Sequence, residues 1–355
     1  MEQPTLSDDS NVALLLTSHL GAAIDETNDD TFGPTQWHDF CTNVRESSVG
    51  SVGKLLKLNA SEWPANIFTG KINRNWVDER LSQASSLALE LEDLNQSGIW
   101  VTTEFENTFP SKLTNTLGRK APPFLYVAGD ADNFQEEAVG FVGSRDADET
   151  DLQYTRDLVD MSIQDGLSIV SGGAKGVDNA SEEEGLRHGG PVIEFPAEGI
   201  KNCLSNESTL NSVLDGELTI ASMYRPDASW SIGGAMGRNK LIHGFGEYTV
   251  VVRSGDENGG TWAGATENLS NNWSTVLVCT HNGSYPGNDK LIAKGGIKIN
   301  PETQPPNTSF SEWVETQMEA ASTDDGLSDT ESTMTDSEST QNGDDDDQYS
   351  LGDFD

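Results

Sequence analysis

The sequence predicts an α/β fold: an extended Rossmann-like, mostly parallel sheet with helices on both faces, preceded by a small helical domain and followed by a disordered acidic tail. Three observations carry this reading. From Gly98 onward, short apolar runs alternate with helix-spaced segments, the pattern of βαβ units. Before that point apolar clusters recur without β-branched alternation. Residues 321–355 hold 12 acidic residues and no basic one, with too little apolar surface to offset their ordering entropy. The boundaries fall at 1–95 for the helical accessory domain, 96–302 for the Rossmann-like domain and 303–355 for the acidic tail.

Each element follows from its own residues. In the N-terminal region, Val12-Ala13-Leu14-Leu15-Leu16 and Leu87-Ala88-Leu89 read as helical, and Gly50, Gly53, Pro64 and Gly70 break the segment up. Residues 99–103 are the first strand, and residues 121–127 form a proline-started second one ending at Gly129-Asp130. Residues 139–143 make a buried strand. Leu152, Leu158, Val159, Ser162 and Ile163 then keep helical spacing until Gly166 stops the helix. Further strands are expected at 167–170, 192–195, 218–220, 248–252 and 276–278. In such sheets ligands bind at the carboxyl ends of strands.

Composition narrows the function classes. The 355 residues include 59 Asp+Glu against 21 Lys+Arg, a formal net charge of −38. Setting the tail's 12 acids aside leaves 47 acidic against 21 basic residues, net −26, so the excess is spread over the folded part. Only 11 lysines are present. Dispersed acid with little lysine fits adaptation to molar salt, where a Debye length of ~3 Å removes self-repulsion. A mimic of a basic partner would concentrate its charge on one face. No apolar stretch reaches membrane-span length, and the acidic first ten residues lack the features of a signal peptide, so a cytoplasmic protein is expected. Cys41, Cys203 and Cys279 are too scattered for a disulfide framework, and the five histidines show no ligand spacing, so neither metal nor cofactor is expected.

The unusual residues cluster at predicted strand ends. Gly143-Ser144-Arg145 closes one strand. Ser171-Gly172-Gly173-Ala174-Lys175-Gly176-Val177-Asp178 closes the next and opens a helix. Glycine turns at strand-to-helix junctions let backbone N–H groups approach an anion, and Lys175 and Arg145 suit phosphate. The same glycines also serve tight packing of a βα turn. Arg238-Asn239-Lys240 is expected at the start of a helix, where it adds a basic, amide-bearing rim. Gly259-Gly260-Thr261-Trp262-Ala263-Gly264-Ala265-Thr266-Glu267 and Pro286-Gly287-Asn288-Asp289-Lys290-Leu291-Ile292 follow.

In this order the motifs resemble the DNA-processing protein A (DprA/Smf) family over residues 98–300. The region 98–130 is similar to its lead-in, Gly143-Ser144-Arg145 to "GSR", and residues 171–178 to "SGxARGID" with Lys175 for Arg. Arg238-Asn239-Lys240-Leu241-Ile242-His243-Gly244 matches "RNRIIAG". The turns at 261–265 and 287–292 stand where "SLITA" and "GSNxLI" do. The chain departs from the pattern at Asn179-Ala180-Ser181, where a histidine is usual, and by an acidic tail in place of a winged helix. The resemblance implies a non-catalytic binder of single-stranded DNA that dimerises and hands the strand to a RecA-type recombinase. Its phosphate site would comprise Gly143, Ser144, Arg145, Ser171, Gly172, Gly173, Lys175, Gly176, Arg238, Asn239 and Lys240, with the N–H groups of Ser144, Gly172 and Gly173. Phe245 or Trp262 would stack a base. The alternative is a nucleotide-binding sensor or a phosphoribohydrolase-like enzyme with Glu267 as its acid or base.

Overall fold

The computed structural model describes residues 6–21, 31–70, 72–280, 285–305 and 308–328. Its strands are β1 (Trp100–Thr103), β2 (Phe124–Ala128), β3 (Ala138–Val142), β4 (Ser168–Ser171), β5 (Val192–Glu194), β6 (Leu218–Ser222), β7 (Tyr248–Val251), β8 (Thr275–Cys279) and β9 (Ile297–Ile299). They form one sheet in the order β1-β2-β6-β5-β4-β3-β7-β8-β9. From β6 to β9 every pairing is parallel, while β1–β2 and β2–β6 are antiparallel. The chain winds outward from β3 in one direction through β4, β5 and β6. It then returns to β7 beside β3 and winds the other way, so direction reverses between β3 and β7.

Helices cover both faces. Four precede the sheet: α1 (Asp8–Thr17), α2 (Pro34–Glu46), α3 (Arg74–Leu81) and α4 (Ala84–Gln96). Then come α5 (Ser111–Leu117), α6 (Glu149–Gln164), α7 (Val177–Arg187), α8 (Ile200–Cys203), α9 (Glu207–Leu214), α10 (Ile232–Phe245), α11 (Gly259–Asn271), α12 (Pro286–Ala293) and α13 (Phe310–Ser328). Alternate strand residues point to opposite faces. Val139, Phe141 and Ile169 accordingly join α6 and α7 in one core, which the apolar residues of α1 and α2 extend. Ala138, Val142 and Val170 meet α5, α10, α11 and α12 in the other. With both faces covered, the central strands are buried along nearly their whole length, which is why they are rich in Val and Ile.

Polar contacts fasten the N-terminal helices to the sheet: Ser10 Oγ lies 2.7 Å from Thr103 Oγ1, and Trp37 donates to Glu104 Oε1 at 2.6 Å. Local signals set the helix ends nearest the strand termini. Asp148 caps α6 by accepting from Thr150 and Asp151, whose own carboxylate accepts the Asp148 N–H in return. Ser231 caps α10 by accepting from Gly234.

The structure corrects two boundaries and adds a strand. Helix α10 begins at Ile232, so Arg238, Asn239 and Lys240 lie in mid-helix and not at its start; the Ser231 cap carries the helix through the glycines. A tail beginning at residue 303 does not hold either, since α13 runs from Phe310. Phe310, Trp313 and Val314 are all but fully buried, and three such side chains contribute roughly 1.5–3 kcal/mol each. The tail's residues 329–355 lie outside the described residues. Ile297–Ile299, the unexpected β9, continues the parallel sheet beside β8.

Candidate functional site

Three chain turns face one another at the carboxyl ends of β3, β4 and β5, beside α10. They enclose a cleft of about 350 Å³ whose lining includes Arg145, Lys175, Glu194, Glu198, Trp230 and Arg238. Arg145 and Lys175 are exposed on the turns after β3 and β4. The Arg145 guanidinium carbon sits 4.8 Å from the centre of the Trp230 ring, a cation–π contact. Trp230 itself, just before α10, is 45% exposed.

Arg238 reaches the cleft from below. It is 4% exposed, and its Nη2 donates to Asp178 Oδ2 on α7 at 2.8 Å, while its Nε has no hydrogen-bond partner among the described residues. The guanidinium packs against Gly172, where a Cβ would fall 1.8 Å from Nη1. The next residue, Gly173, has a φ of +67°, and a Cβ there would meet Glu194 Oε1 at 2.4 Å. The adjacent glycines thus admit two charged side chains against one turn, and Gly173 also supplies the left-handed backbone.

Acidic groups share this floor. Glu194 ends β5 in register with Ser171 and is 7% exposed. The thiol of Cys203, 3.8 Å away, is a weak donor to its Oε1. Burial pushes the Glu194 carboxyl up to about 7, against the nearby Arg238 charge. Burial likewise raises Glu182, helped by Glu194 and Asp178. It raises Asp178 despite Arg238. Arg145, Lys175 and Arg238 are therefore offset by Asp178, Glu198 and a fraction of Glu194. An anion would be held by directed groups and not by surplus charge.

The predicted residues divide accordingly. Arg145, Gly172, Gly173, Lys175 and Arg238 line the cleft together. Gly143, Ser144, Ser171 and Gly176 shape its turns: Ser144 Oγ accepts from Asp146 at 3.1 Å, Ser171 donates to the Phe141 carbonyl at 3.2 Å, and Gly176 precedes α7 with a φ of +94°. The Gly173 N–H is not free for an anion, because it donates to Glu182 Oε1 at 2.7 Å. Asn239 ties α10 to α11 through the Gly260 carbonyl at 3.1 Å. Lys240 turns away to Glu267, 3.3 Å distant, and does not line the cleft. Phe245 stacks no base: at 1% exposure it is packed between Phe134 and Phe195 in the core. Trp262 packs against that same core from α11, outside the cleft lining. Sequence reasoning missed Trp230, Glu182 and Glu194. Trp230 stands in no glycine motif, and a strand-end glutamate carries no signal of its own.

The model of the DNA recombination-mediator protein A family matches residues 100–304, the sheet from β1 to β9. The chain belongs to this family. A relative, the protein Smf of a Synechocystis strain, is 27% identical over 143 residues, 39% of this chain. That match spans about a third of the relative's length, 36%. The solved structure of DNA processing protein A from Streptococcus pneumoniae shares the fold, with a TM-score of 0.60 at 19% identity over 80% of this chain and 98% of that one. DNA processing protein A from Helicobacter pylori, whose structure concerns its single-stranded DNA binding mode, is 20% identical, with a TM-score of 0.49 over 62% of this chain and 96% of that one. In this member of the recombination-mediator family, the "GSR" and glycine-turn motifs meet at the cleft, whereas "RNK" contributes only its arginine to it.

Proposed function

We propose that the cleft binds single-stranded DNA, without catalysis, so that the strand passes to a RecA-type recombinase, and that the protein works as a homodimer. The observation that carries the binding is the convergence of Arg145, Lys175 and Arg238 with an exposed tryptophan in one strand-end cleft. The cations would take the sugar-phosphate backbone and Trp230 a base face, the pairing used by sequence-tolerant single-strand binders. At about 350 Å³ the cleft is at the small end of ligand sites, room for one nucleotide of a longer strand. The family's description as a DNA recombination mediator supports the recombinase part of the reading, and the homodimer part rests on what the motif resemblance implies. The dimer contact would avoid β7, which lies inside the sheet between β3 and β8.

The phosphoribohydrolase alternative loses its acid. Glu267 is bridged to Lys120 at 3.1 Å and to Lys240, away from the cleft. The binding reading is tested by titrating a labelled oligonucleotide in concentrated KCl. Trp230→Ala is expected to weaken binding about ten-fold or more, since stacking contributes ≈ 1–3 kcal/mol per base. Arg145→Ala and Lys175→Ala should weaken it and flatten its salt dependence by about 0.7 in slope per lost phosphate contact. Lys240→Ala should leave it unchanged. Equal binding by all four folded variants would defeat the proposal.

A further inference from the structure

The strand order around the glycine turn has a chemical consequence for Glu194. Strand β4, the turn 172–176, helix α7 and strand β5 form one right-sized βαβ unit, with β4 and β5 parallel neighbours. Glu194 closes β5 opposite Ser171, the residue before the turn, and follows Gly173 by about twenty residues. In nucleotide-binding βαβ units a carboxylate at this place accepts hydrogen bonds from the ribose hydroxyls of a nucleotide whose phosphate lies at the glycine turn. A strand of DNA offers that carboxylate no 2′-hydroxyl.

The side chain is placed for such a role. Glu194 is more than nine-tenths buried, lines the cleft, and among the described residues has only a thiol 3.8 Å away as a hydrogen-bond donor. Its carboxylate oxygen lies against Gly173, on the turn that carries Lys175. Retaining an acid beside a phosphate site opposes anion binding unless the ligand brings hydroxyl donors to it. Trp230, also in the cleft lining, supplies a face for the base. Phosphate, sugar and base partners are therefore present within a volume that fits one nucleotide.

We propose that the cleft also takes a free ribonucleoside 5′-phosphate, with Glu194 accepting from its ribose 2′-hydroxyl. The inference rests on the single-strand reading only for the position of the phosphate. A free ribonucleotide would then compete with DNA for the same cleft.

The experiment is calorimetric titration of the full chain with ADP and with 2′-deoxy-ADP, in concentrated KCl and without DNA. The two probes differ in one hydroxyl. ADP is expected to bind at least about ten-fold more tightly, the usual range for a hydrogen bond to a charged group. Glu194→Ala should bring the two probes to equal affinity, and Glu194→Gln, which keeps an acceptor oxygen and the side chain's shape, should retain part of the difference. Equal affinity in the unaltered protein, or a preference that survives Glu194→Ala, overturns the proposal, as does absence of ADP binding. Oligonucleotide binding measured on the same samples separates the outcomes: DNA bound without ADP defeats this inference alone, and neither bound defeats the cleft reading as well.

Discussion

Arg238 and Asp178 form a pair whose side chains are only 5% and 6% exposed. Removing one partner of such a pair strands the other. The turn beside them is glycine at Gly172 because a Cβ there would fall 1.8 Å from Arg238 Nη1. Among the described residues, Glu194 beside them has no equivalent partner. It is faced by Arg238 on α10, Asp178 and Glu182 on α7, Cys203 on α8 and Glu198 on its own loop. Its carboxyl titrates at about 7 in the folded protein against about 4.3 when unfolded. A raised carboxyl favours the protonated folded state, so the penalty is absent below the unfolded value, grows between the two values, and is complete above about 7. Glu194→Gln should therefore stabilise the protein more at about pH 8 than at about pH 5.5, by a couple of kcal/mol, since each tenfold change in proton affinity is worth about 1.36 kcal/mol. Urea unfolding at the two pH values reads this directly, and a pH-independent difference would contradict it. None of this was legible in the sequence. Arg238 and Asp178 are 60 positions apart, and Glu194 reads as an ordinary polar position among Val192, Ile193 and Phe195. Arg145 and Lys175 were legible because short glycine turns after apolar runs fix where their side chains start. Phe245 was misplaced because an aromatic residue at a helix end has the same appearance whether it faces a cleft or a core.

At the scale of elements, the strands were legible where short runs dominated by Val, Ile and Leu stood between turn residues, since burial on both faces of a parallel sheet demands such runs. The three residues of β9 are interrupted at their centre by the exposed Lys298 and carry no such run. Helix α13 was hidden for a different reason: its acidic composition resembles a solvated tail, and among its described side chains only Phe310, Trp313 and Val314 are buried. Residue type alone does not say that those three are aligned on one side. Trp313 is 1% exposed, within the core shared with α6 and β9. Trp313→Ala should accordingly cost about 3–5 kcal/mol, the range for deleting a buried aromatic side chain. A loss below about 1 kcal/mol on denaturant unfolding would mean that α13 is dispensable to the fold.

For the whole molecule, charge is the dominant unbalanced quantity. With the last 35 residues set aside, 47 acidic side chains face 21 basic ones. Exposed ion pairs such as Arg119–Asp39 at 2.6 Å and Lys290–Asp256 at 2.7 Å contribute only ≈ 0–1 kcal/mol each, too little to offset that excess. At low ionic strength the folded chain is therefore strained by its own repulsion, which unfolding relieves by moving the charges apart. Added salt shortens the Debye length from ≈ 10 Å at 0.1 M to ~3 Å at 1 M and removes most of the repulsion between neighbouring carboxylates. The midpoint of thermal unfolding should rise by on the order of 10 °C over that interval, taking several kcal/mol of relieved repulsion at about 2–4 °C each. The shape of the curve identifies the cause. Screening saturates once the Debye length falls below the spacing of surface charges, whereas preferential exclusion of salt keeps raising stability with concentration. A midpoint that is flat or falling between about 0.1 and 1 M KCl would show that the acidic surface does not limit stability. A steep rise that levels off would show that it does, and would make concentrated salt the condition in which the cleft's ligands are to be measured.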